Sequence, residues 1–72
     1  MNTVKTYRLA WVAGDGYDVT RYAYTSTAAA RTALPTVNRS RHVMGLPPAT
    51  HVATYEDGRC VEVLRLAELA AA

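Results

Sequence analysis

The sequence predicts an α+β fold, a two-layer ββαββ arrangement with one helix packed on a four-stranded antiparallel sheet. Three observations carry that expectation. Alternating polar and apolar residues flank Gly14-Asp15-Gly16, and a second alternating pair flanks Asp57-Gly58. An alanine-rich stretch of helical period lies between the two pairs. With no repeat, low-complexity linker or second compositional block, residues 1–72 read as a single small domain.

The first hairpin is expected over residues 6–13 and 17–24. Taking Asp15-Gly16 as a two-residue turn places Trp11 opposite Thr20, Leu9 opposite Tyr22 and Tyr7 opposite Tyr24. One face then gathers Tyr7, Leu9, Trp11, Tyr22 and Tyr24. The other gathers Arg8, Ala10, Val12, Val19, Arg21 and Ala23.

The helix is expected to start at Ser26 or Thr27, whose short hydroxyls can accept from a free first-turn amide. Ala28, Ala29 and Ala30 are strong helix formers. Ala30, Ala33, Leu34 and Val37 then make one apolar stripe at i, i+3, i+4 and i+7. Pro35 removes a helical hydrogen bond and disfavours the α region at Leu34, so the helix is expected to end or kink there. Residues 36–44 receive no assignment. Gly45 reads as a stop, followed by an extended Leu46-Pro47-Pro48 lead-in.

The second hairpin is expected over 49–56 and 59–66. Its register sets Glu56 across from Arg59, Thr54 from Val61, and Val52 from Val63. His51, Ala53, Tyr55, Cys60, Glu62 and Leu64 then share the opposite face. Residues 66–70 read as a last helical turn or a frayed tail.

A chain this short buries only about 60% of its unfolded surface, so a partner subunit would help, and monomer and homodimer both stay open. The single Cys60 excludes an internal disulfide and fits a reducing compartment. Residues 1–5 show no apolar leader, and no apolar run approaches the ~20 residues of a membrane span. The expectation is a soluble, cytoplasmic protein without membrane contact.

Few residues point to catalysis. Gly14-Asp15-Gly16 lacks the lysine and downstream glycine of a phosphate loop. His51, Tyr55, Cys60 and Glu62 share a face in the expected register, but they lack the paired spacing of a zinc site, and so small a sheet offers little of the pocket that a Cys–His nucleophile needs. No enzyme activity, metal or cofactor is expected. Tyr7, Trp11, Tyr22 and Tyr24 could stack bases, yet a small core needs their area, and the core reading is preferred.

Binding is the better prospect. The net charge is +2, and seven of the eight Lys and Arg residues are arginines, whose fork grips carboxylate and phosphate bidentately. Arg39, Arg41 and His42, in Asn38-Arg39-Ser40-Arg41-His42, form the most exposed-looking cluster, and Arg8 and Arg21 sit together on the first hairpin. These five residues are the expected partner contacts.

The strand and capped helix Tyr22-Ala23-Tyr24-Thr25-Ser26-Thr27-Ala28-Ala29-Ala30-Arg31, followed by the hairpin at Glu56-Asp57-Gly58-Arg59, resembles tiny phage-encoded proteins. Among these it is similar to small anti-CRISPR proteins with a helix packed on an antiparallel sheet. The resemblance implies a non-enzymatic inhibitor of phage or mobile-element origin. Such a protein occupies a surface of a CRISPR effector, a host nucleoprotein complex, and competes with nucleic acid or blocks a subunit. The residues also leave open a small DNA- or RNA-binding protein using the same arginines on phosphate, with Tyr or Trp stacking on bases. Steep salt dependence separates that alternative from protein binding.

Overall fold

The computed structural model describes residues 4–70. Its elements are β1 (Lys5–Ala13), β2 (Gly16–Val19), α1 (Thr27–Val43), β3 (His51–Glu56), β4 (Arg59–Arg65) and α2 (Leu66–Ala70). The strands form one curled antiparallel sheet in the order β2-β1-β3-β4, and α1 packs against β1. The ββαββ expectation is met. The reading of residues 1–5 as free of a leader falls mostly outside the described residues.

Both hairpins form, with corrections in register. The first turn is Gly14-Asp15 rather than Asp15-Gly16, because Ala13 pairs with Gly16 and Trp11 with Asp18. Gly14 carries φ 59° and Asp15 no positive φ, which matches a type II′ turn with glycine at its first central position. The pairing moves by two residues, so every β1 side chain keeps its expected face.

Strand β2 then stops at Val19, short of the continuous strand expected to Tyr24. Tyr7 and Tyr24 do pair, through backbone hydrogen bonds of 2.8 and 2.6 Å. Leu9 accepts from the Thr20 amide at 2.9 Å, so Arg21 and Tyr22 are extra residues that bulge from the edge. Tyr22 is therefore no longer opposite Leu9 and is 67% exposed, although its ring still meets that of Tyr24, with centroids 4.8 Å apart.

In the second hairpin Asp57 (φ 51°) and Gly58 (φ 84°) both take positive φ, as a type I′ turn requires. Glu56 faces Arg59 as expected, but the register shifts between Thr54 and Tyr55, where Val61 is an extra residue on β4, so Thr54 pairs with Glu62 and Val52 with Leu64. The expected partners Val61 and Val63 are displaced. A one-residue slip exchanges faces, so Leu64 and Glu62 move to the helix side of the sheet.

Helix α1 starts as predicted: the Ser26 hydroxyl accepts from the Ala29 amide at 3.0 Å. It does not end at Pro35 but continues to Val43. Pro35 and Arg31 are both exposed, so the Arg31 carbonyl that loses its donor can meet water. Leu34 and Val37, on either side of the proline, pack into the core, and this burial outweighs the lost bond. Gly45 supplies the stop, with φ 76°. Its amide bonds to the His42 carbonyl at 3.0 Å and the Leu46 amide to the Arg41 carbonyl at 2.8 Å, a Schellman closure.

The core lies between α1 and the sheet. Leu9, Ala30, Ala49 and Val52 form its buried centre, and Tyr7, Trp11, Tyr24, Leu34, Val37 and Leu66 pack around them. Ala30 has no bulk beyond Cβ and is fully buried, so the helix can approach β1 closely.

Candidate functional site

The predicted cluster of Arg39, Arg41 and His42 divides on folding. Arg41 turns inward and is 8% exposed, contrary to the expectation of an exposed cluster. Its guanidinium lies 3.5 Å from the Trp11 ring centroid, and its Nε donates to the Pro47 carbonyl. It falls eleven residues after Ala30 on α1, which carries the apolar stripe's face one turn further. A planar cation that stacks on an indole can finish an apolar stripe where an ammonium could not. Reversing its charge would therefore damage the fold as well as any interface.

Arg39 and His42 remain exposed, beside an apolar group the sequence reading missed. Val43 is 80% exposed, Met44 69% and Leu46 42%, with Pro47 and Pro48 exposed after them. Arg39 and Val43 are one helical turn apart and so adjacent on the surface. This knuckle is tied down from both sides. The Schellman closure fixes its backbone, Arg41 holds Pro47, and the Asn38 side-chain oxygen accepts from the Ala49 amide at 2.8 Å. The available signal was an apolar run, Val43-Met44-Gly45-Leu46, placed just past the helical stripe. Helix α1 also carries Arg31, Arg39, Arg41 and His42 and no acidic residue.

Arg8 and Arg21 are not a free pair. The Arg8 guanidinium donates to the Thr20 carbonyl at 2.7 Å and the Arg21 carbonyl at 2.9 Å. It thus satisfies carbonyls that the edge bulge leaves without strand partners. Arg21 is exposed on that bulge.

The sheet face away from α1 carries a second grouping. Tyr17 and His51 are in ring contact, with centroids 4.9 Å apart, and Arg8 lies 5.5 Å from the Tyr55 ring centroid. His51 accepts or donates at Nδ1 with the Thr50 hydroxyl at 2.7 Å. Ala10 and Ala53 lie on this face, yet they are 0% and 1% exposed, because the larger neighbours close over them. The β4 bulge keeps Cys60 opposite Tyr55 but sends Glu62 to the other side, which breaks up the expected His51, Tyr55, Cys60 and Glu62 set. Comparison with protein families, curated proteins and solved structures finds no match for this chain.

Proposed function

We propose that this chain is a non-enzymatic binding protein that inhibits by occupying a protein surface of a larger assembly. The observation that carries the reading is the knuckle of Val43, Met44 and Leu46, exposed yet backed by a fixed helix end, with Arg39 and His42 at its rim. Apolar projections at the centre and cations at the edge are the composition of a protein interface. Val43, Met44 and Leu46 offer aliphatic projections and no ring on which an unpaired base could stack, so this surface favours an apolar protein pocket over nucleic acid. The partner it fits presents an apolar pocket bordered by carboxylates.

The resemblance to small anti-CRISPR proteins points to a CRISPR effector as that assembly, and to a phage or mobile-element origin. A phage-plaquing assay tests it: cells with an active, targeting CRISPR system should regain sensitivity when they express this chain. Met44→Glu should abolish the effect while leaving the melting temperature unchanged, since Met44 is exposed. Plaquing that stays restricted across the effector classes tried would remove the effector assignment. Full inhibition by Met44→Glu would remove the knuckle.

A further inference from the structure

We infer that the sheet face away from α1 is a stacking site for single-stranded nucleic acid, formed by Tyr17, His51 and Tyr55 with Arg8 and Arg65. This goes beyond the protein-binding reading and uses none of the knuckle residues.

The register builds the site. His51 and Tyr55 alternate on one face of β3 with Ala53 between them. Arg65 pairs with His51 and Arg8 with Ala53, which places both cations on that face. Tyr17 reaches it from β2 and touches His51 across β1, with Ala10 as the floor beneath. Tyr17 is 48% exposed, so a large part of its surface is open to a ligand.

Charge then selects the ligand. Among the described residues the strand carboxylates all sit at helix-side register positions: Asp18 opposite Trp11, Glu56 opposite Lys5, and Glu62 opposite Thr54. The far face keeps Arg8, Arg65 and His51 with no acid among them. The Arg8 charge is fixed by its two carbonyl bonds, so it is preorganised. Rings without carboxylates and with fixed cations suit a ligand that is itself flat-faced and anionic. Bases can reach such rings only when unpaired, which favours a single strand over a duplex. Tyr17 pairs opposite Val12 and Tyr55 opposite Thr6, six residues along β1, or about 20 Å at ~3.4 Å per residue. That span suits an oligonucleotide rather than a mononucleotide.

The test is fluorescence anisotropy with labelled oligo-dT and oligo-U of about 12 nucleotides, and with a duplex of equal length. The full chain should bind the single strands more tightly than the duplex. Tyr17→Leu should weaken binding about fivefold or more and Tyr17→Trp should restore it, as stacking requires. Arg65→Ala should lower the salt slope by about 0.7. Arg39→Ala removes the same charge from the helix and should leave both the affinity and the slope unchanged. Equal binding to duplex, equal losses from Arg39→Ala and Arg65→Ala, or no binding at low salt would each overturn the assignment. So would self-association in sedimentation that Tyr17→Leu abolishes, since the face would then belong to a second copy. The plaquing assay with Met44→Glu reads the other surface, so either reading can fail alone.

Discussion

The Arg41 guanidinium lies 3.5 Å from the centroid of the Trp11 ring, and this contact joins the end of α1 to β1. Arg41 also donates to the Pro47 carbonyl, so one side chain ties the helix, the first strand and the Leu46-Pro47-Pro48 lead-in together. A desolvated cation–π contact contributes about 2 kcal/mol. Loss of the bond to Pro47 and of the buried stem adds to that. Arg41→Ala should therefore destabilise by about 3 kcal/mol in denaturant titration. In a double-mutant cycle with Trp11→Ala, the coupling should be about 1–2 kcal/mol. Arg41→Ala within 0.5 kcal/mol of the parent would show that the stack contributes nothing.

Asn38 holds the same segment one turn earlier. Its side-chain oxygen accepts from the Ala49 amide at 2.8 Å, and Ala49 is 4% exposed, so this donor has little access to water. Leaving a buried amide unsatisfied costs about 1–3 kcal/mol. Asn38→Ala should lower stability by about that amount and accelerate hydrogen exchange at the Ala49 amide. Asn38→Asp keeps an acceptor and should retain most of the protection. Unchanged exchange in Asn38→Ala would mean that Ala49 is protected by burial alone.

The sequence made the fold legible where local rules agree. Alternation, the Asp57-Gly58 turn, the Ser26 cap and the Gly45 stop all come from neighbouring residues, and each is found as expected. The core face of β1 was legible too, since Tyr7, Leu9 and Trp11 alternate with smaller or charged residues. The candidate site was less legible. Arg41 reads as a surface arginine until Trp11, thirty residues earlier, is placed beneath it. Arg8 reads as a free cation until the edge bulge supplies it with two carbonyls. The β4 bulge moves Glu62 and Leu64 across the sheet, and no residue in the hairpin announces it. The misses share one cause: each depends on a contact distant in sequence or on a one- or two-residue slip that alternation cannot register.

Pro35 offers the clearest test of how tertiary contacts override a local rule. It sits inside α1, where proline is about 3 kcal/mol less favourable than alanine, because a hydrogen bond is lost and its ring crowds the preceding turn. Two effects reduce that figure here. Arg31 and Pro35 lie on the exposed side of the helix, so the freed carbonyl can be solvated. Proline also restricts the unfolded chain, which favours folding by about 0.4–1 kcal/mol where its conformation is compatible. The net expectation is that Pro35→Ala stabilises the protein by about 1–2 kcal/mol, seen as a higher denaturation midpoint with an unchanged slope. Leu34, Val37 and Arg41 keep their contacts in the variant, so the knuckle should keep its geometry. A loss of stability on Pro35→Ala would mean that the proline ring itself fits a bend in α1, and that the helix depends on it.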